Sequence, residues 1–119
     1  SICYDVRFPE LYRSYSDMGI DVLTIPSAFT EETGLAHWET LLSSRAIENL
    51  SYVVASAQWG KHYGSRRTYG HTMIINPWGK IIDQLDTGDG IVISDIDLEE
   101  LRSIRQSFPS LQHKVLNND

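Results

Sequence analysis

Sulfur and cationic charge are both scarce in these 119 residues, which hold one cysteine, two methionines and 10 Lys and Arg against 16 Asp and Glu. A lone cysteine leaves no intrachain disulfide framework, no dithiol redox pair and no paired-cysteine zinc site. The formal charge of −6 argues against a phosphate-backbone partner, which needs clustered cations, and the only adjacent basic pair is Arg66–Arg67. No apolar run approaches the ~20 residues that a membrane-crossing helix needs. Neither a His-Glu-x-x-His pair nor a glycine-rich phosphate loop occurs, so no metal, cofactor, nucleic acid or membrane partner is expected. No signal peptide is visible in a sequence that lacks an initiator methionine, where a missing N-terminus would hide one, and a reduced thiol suits the cytoplasm.

What is present suits one small α/β unit: 41% apolar residues to fill a core and 22% charged residues to cover it. Phe8-Pro9-Glu10 reads as a helix start, because proline at the first helical position loses no hydrogen bond. Leu11, Tyr12, Tyr15 and Met18 follow at helical spacing, and Gly19 supplies a stop. The run 21–26 reads as a short buried strand ended by Pro26. Leu35, Trp38, Leu41, Leu42, Ala46 and Leu50 then make one apolar stripe of a helix. A second buried strand follows over 51–57. After a polar loop, residues 71–86 read as two strands joined by a turn at Asn76-Pro77-Trp78-Gly79. A strand over 91–96 and a last helix over 97–107 complete the pattern. Asp97 is its expected N-cap, with Glu100 at capping-box spacing. Alternating strands and helices imply layered α/β architecture. A strand at Ser1-Ile2 would be abnormally short, and the helices are too few to cover a sheet on both sides. The expectation is the C-terminal part of a larger domain.

Cys3 lies between a strand-like start and a helix, an elbow that would expose its sulfur and aim the Tyr4 N–H at a developing oxyanion. Position alone leaves an inert buried thiol the commoner outcome. Spacing excludes one competing chemistry: a tyrosine-phosphatase loop needs Arg six residues on, where Pro9 stands. His37, His62, His71 and His113 are the candidate partners for a papain-like dyad, but none sits in a local signature of that family.

Six ordered blocks decide between these readings: CYDVRFPELYR, IPSAF, AHWETLLSSRAIEN, VVASAQWG, TYGHTMIINPWGKII and ISDIDLEELRSIRQSFP. Together, from Ser1 to about His113, they resemble the C-terminal half of the nitrilase, or carbon–nitrogen hydrolase, superfamily. Within it, the GKHYGSRRTYGHTM stretch is most similar to the small omega-amidases and the deaminated-glutathione amidases. The resemblance implies an α-β-β-α sandwich, of which residues 1–119 would be the C-terminal portion and the N-terminal portion absent. It implies hydrolysis of a small carboxylated amide through a thioester on Cys3, with a general-base Glu, a Lys and a second Glu that all precede the cysteine. The isolated chain is therefore expected to be inactive and to fold poorly. Another carbon–nitrogen hydrolase, such as a carbamoylase, and a non-catalytic homologue remain open.

Further expectations follow residue by residue. Asp5 and Arg7 could form an ion pair bracing the elbow. Ser27, Ala28 and Phe29 resemble the family's pocket wall, although Ser27 is equally a plain strand exit. Arg67 with Thr68 is the preferred clamp for a substrate carboxylate, against a solvated loop for Arg66 and Arg67. Trp38 reads as packing, Arg45 and Glu48 as an i,i+3 pair, and His71 as a hydrogen-bonded strand residue. The resemblance also implies a homodimer or higher homo-oligomer.

Overall fold

The computed structural model describes residues 1–116. The chain enters through a 3-10 helix, Cys3–Arg7, and Ser1 and Ile2 form no strand. Helix α1 (Pro9–Asp17) has Pro9 in its first turn, and Gly19 at φ 82 follows its end. Tyr12 is fully buried on its inner face, whereas Met18 lies outside the last turn and is exposed, so the apolar stripe stops at Tyr15.

Strand β1 (Val22–Thr24) runs parallel to β2 (Tyr52–Ala55), with Val22 opposite Tyr52. The helical crossover that parallel pairing requires begins earlier than the apolar stripe suggests. Thr30 caps it, its Oγ1 accepting the Thr33 N–H, and the helix runs unbroken through α2 (Glu31–Thr33), a π-helical turn (Gly34–Trp38) and α3 (Glu39–Asn49). The wider π turn shifts the helical register. Leu35, expected on the buried stripe, is accordingly turned out to solvent, while Trp38, Leu42 and Ala46 are fully buried.

Antiparallel strands β5 (Thr72–Ile75) and β6 (Ile81–Leu85) complete a four-stranded sheet in the order β1-β2-β5-β6. Their turn is built by Asn76, whose Oδ1 accepts the N–H groups of Trp78 and Lys80. On one face of the sheet Leu23, Ile25, Val53, Ala55, Met73 and Ile75 pack against Val6, Tyr12, Trp38, Leu42 and Ala46. The four-stranded sheet thus carries a helical layer on this face, and its other face is partly open.

Two segments differ from the sequence reading. The polar stretch before residue 71 is a hairpin of β3 (Trp59–Lys61) and β4 (Arg67–Tyr69). Its pairing sets Lys61 against Arg67, and like charges face to face carry no strand signal. Conversely, 91–96 is irregular rather than a strand. It makes no backbone hydrogen bond to another segment among the described residues, and Ile91 and Ile93 are exposed. Its β pattern has no neighbouring strand to satisfy it.

Helix α4 (Leu98–Ser107) begins at Asp97, whose side chain accepts the Glu99 and Glu100 N–H groups. The expected capping box does not close. The Asp97 N–H donates to the Tyr52 hydroxyl, which itself donates to Glu100 at 2.8 Å. Farther along, Arg105 donates to the carbonyls of Leu50 and Ile20, to Ser51 Oγ and to Asp21 at 2.7 Å. It ties α4 to the starts of both parallel strands.

Replacing Arg105 with Met in the intact protein should cost about 2–3 kcal/mol, since several charge-assisted bonds go and their acceptors are left behind. Urea unfolding measures it, and a loss under about 0.5 kcal/mol would show the tie to be dispensable. Burial, and then the bond to Glu100, push the Tyr52 phenol above its ordinary pKa of roughly 10. A raised folded-state pKa gives stability that is full below the unfolded value and lost as pH rises through the folded one. Stability should therefore fall with pH above about 10, and less steeply in Tyr52→Phe. Equal slopes would remove Tyr52 from the effect.

Candidate active site

Cys3 adopts φ 46, a left-handed conformation that non-glycine residues avoid. Four contacts hold it there. Its N–H donates to the Pro26 carbonyl at 2.9 Å, and Asp5 N–H closes the 3-10 turn on the Ile2 carbonyl at 3.0 Å. The Asp5 carboxylate accepts the Ile2 N–H at 2.8 Å. Arg45, only 4% exposed, reaches from α3 to the Val6 carbonyl at 2.9 Å. Arg45 also pairs with Glu48 at 3.0 Å, as its spacing suggests.

Asp5 and Arg7 do not pair. Asp5 is turned back to the Ile2 N–H, and Arg7 donates to His37 Nδ1 at 3.2 Å, which places the His37 proton on Nε2. The Arg7 guanidinium also lies 5.1 Å from the Phe29 ring centre and 5.4 Å from that of Tyr4. The two residues brace the elbow separately, because a 3-10 turn directs side chains two positions apart to different sides.

The sulfur-bearing residue is half-buried beside a cleft of about 720 Å³ on the open face of the sheet. Ser27 and Ala28 form one wall, Thr72 and Ile74 another, and Gly90 to Val92 pass along its edge. The wall exists because the β1–β2 pairing continues past the strands: Ser27 N–H donates to Ser56 and Gln58 N–H to Ser27. The Ser27 hydroxyl is spent on the Ile25 carbonyl. Phe29 is not in the wall. It is buried in the core, 4.8 Å from the Trp38 ring. Among the described residues lining this cleft there is no Asp, Glu, Lys, Arg or His. The Tyr4 N–H has no hydrogen-bond partner among the described residues, and the Tyr4 ring is exposed.

A second pocket of about 400 Å³ is lined by Gln58, His62, Tyr63, Arg66 and Thr68, and Gln58 belongs to both. Thr68 is 3% exposed and shares a 2.6 Å hydrogen bond with His62 Nε2. Arg67 lines neither pocket. It alternates with Thr68 along β4 and points to the other side, where it meets Glu31 at 3.3 Å. The Arg67–Thr68 pair expected from sequence is therefore split, and Arg66 is the cation beside Thr68. His71 is not within a strand but at the corner between β4 and β5, with φ 62. Among the described residues no group of three His, Cys, Asp or Glu could hold a metal ion.

Sequence reasoning passed over Gln58 and Thr72, and weighed His62 only as the base of a papain-like dyad. Gln58 had one signal, its place just past a buried strand, where a backbone leaving a sheet commonly builds a site.

Known proteins resemble this chain in sequence and fold. The family model for carbon-nitrogen hydrolase matches residues 1–106. The chain is 56% identical over 115 residues to a deaminated glutathione amidase of Synechocystis, covering 97% of this chain and 42% of that protein. It thus spans about two fifths of that relative's length. The crystal structure of the NitFhit protein of C. elegans superposes with a TM-score of 0.93 at 49% identity, over 96% of this chain and 28% of that one. A mutant amidase from Nesterenkonia sp. AN1 carrying acrylamide added at the active site cysteine gives 0.72 at 26% identity, over 92% and 42%. These likenesses identify the helical layer and sheet as part of a nitrilase-like α/β fold. The chain belongs to the carbon–nitrogen hydrolase family.

Proposed function

We propose that the intact protein hydrolyses the amide bond of a small carboxylated substrate, of the deaminated-glutathione kind, through a thioester on Cys3. One observation carries the reading: the only thiol is held in a left-handed elbow beside an open cleft, next to an unengaged backbone N–H. The relatives' name supports the substrate class.

The chemistry follows from the groups available. A base removes the thiol proton, and sulfur attacks the amide carbon. The carbonyl oxygen becomes an oxyanion facing the Tyr4 N–H, a donor typically worth about 3–4 kcal/mol. The C–N bond then breaks, the amine leaves with the proton the base had taken, and water cleaves the thioester to a carboxylic acid and the thiol. None of the described residues lining the cleft can serve as that base. The Glu and Lys implied by the family resemblance are assigned to parts of the protein outside this chain, so these 119 residues alone would not turn over. A homodimer or higher homo-oligomer, acting in the cytoplasm where a lone thiol stays reduced, completes the proposal.

The second pocket gives the substrate's carboxylate a place. Arg66 and His62 are its cation and hydrogen-bonding partner, and Gln58 adjoins the cleft. Arg67 instead turns its Nε to Glu31, away from that pocket.

Cys3→Ala in the intact protein should abolish turnover, and mass spectrometry of the parent quenched during turnover should find the acyl group on Cys3. Turnover surviving the substitution would end the thioester proposal, and preference for N-carbamoyl compounds would move the protein to another carbon–nitrogen hydrolase activity. Arg66→Ala should raise KM for carboxylated amides tenfold or more, roughly the value of one charge-assisted bond, and leave neutral amides unchanged. The same selective loss in Arg67→Ala instead would return the clamp to Arg67.

A further inference from the structure

The chain passes from the hairpin to the main sheet through a four-residue corner, 69–72, that separates the two pockets. Gly70 and His71 are both left-handed, at φ 72 and φ 62. A Cβ on Gly70 would stand 2.8 Å from Trp59 Cβ and 2.9 Å from the Asp86 carbonyl oxygen, so the corner is tightly seated. His71 stacks on Tyr69 with ring centres 3.7 Å apart, and its Nδ1–H donates to the Tyr69 carbonyl. On one side of the corner Thr68 closes the second pocket. On the other, Thr72 lines the Cys3 cleft, its hydroxyl accepting the Ala57 N–H at 2.8 Å and donating to the Ala57 carbonyl.

One side chain reaches this corner from the helical layer. The indole N–H of Trp38, a residue that is fully buried, donates to the His71 carbonyl at 2.9 Å. The other face of the same residue packs on Phe29, the ring over which Arg7 of the elbow lies. Trp38 closes the π turn, and at the start of that turn Gly34 lies so close to the Tyr69 ring that a Cβ would stand 2.2 Å from it. Both ends of the turn therefore press on the corner. Packing alone would ask of Trp38 only its volume, yet its polar atom is aimed at a strained residue.

We infer that Trp38 is a positioning residue, which pins the corner through its N–H and so fixes the second pocket relative to the thiol. The inference rests on the amidase reading for its kinetic consequence but not for its structural one. A substrate held at both ends reacts only if the two pockets keep their spacing, whereas a small neutral amide needs the cleft alone.

Trp38→Phe in the intact protein keeps an aromatic ring and removes the donor. It should lower kcat for a carboxylated amide about tenfold while changing kcat for a small neutral amide less than twofold. Leu42→Ala, also buried on the same helix but away from the corner, serves as a control for simple loss of stability. It should lower Tm as much or more and leave the ratio of the two rates unchanged. A ratio unmoved in Trp38→Phe, or moved equally in Leu42→Ala, overturns the inference. If the parent hydrolyses neither amide, the amidase reading fails, and amide hydrogen exchange still decides on the pin. Exchange at His71 and Ala57 should quicken in Trp38→Phe relative to Val53, and no such difference overturns it. Should Trp38→Phe not fold, Thr72→Val must quicken Ala57 exchange and Thr72→Ser restore it, or the corner does not behave as described.

Discussion

A cysteine at φ 46 leaves that conformation unless its neighbours make every alternative costlier, and an arrangement of this kind typically stores about 1–2 kcal/mol of strain. Here the restraint comes from three parts of the chain: the Pro26 carbonyl at the exit of β1, the Asp5 carboxylate within the turn, and the buried Arg45 guanidinium from α3. Parallel pairing of β1 and β2 sets the first, and the crossover helix sets the third. The sheet, the helix and the elbow are thus conditions of one another. Arg45 shows the cost of the arrangement, since a charge 4% exposed is tolerable only with its hydrogen bonds made, its Glu48 partner at 3.0 Å and the Tyr12 ring beneath it.

The same restraint divides labour in the site. Apolar walls and backbone groups surround the thiol, while cationic and imidazole groups stand in the adjoining pocket. A mainly apolar cleft suits the reacting end of a ligand, and a polar annex suits its far end. Gln58 belongs to both because the β1–β2 ladder runs on past its last strand residue and carries that position between them.

Much of the fold could be read from the residues because local chemistry decided it. Pro9 opens α1, Asp97 caps α4, and Asn76 with Gly79 builds the β5–β6 turn by interactions spanning four residues or fewer. What escaped depended on distant partners. Leu35 fits a helical stripe until a π turn rotates it outward. Residues 91–96 have the composition of a strand but no ladder here. The β3–β4 hairpin places Lys61 opposite Arg67, against local preference. At the site, the six blocks pointed to Cys3, and of the three residues after Pro26, Ser27 and Ala28 line its cleft while Phe29 turns into the core. The expected clamp pair is divided, since a strand's two-residue alternation separates Arg67 from Thr68, and adjacency in sequence hides that.

The missing capping box at α4 reaches into how the molecule forms. A box closed by Glu100 would let the helix begin from its own residues. Instead its first turn is completed by the Tyr52 hydroxyl, 45 and 48 positions away from the groups it serves. Closing so long a loop costs entropy before the contact returns anything. The start of α4 and the start of β2 therefore share one hydroxyl, a contact that exists only where the two segments meet.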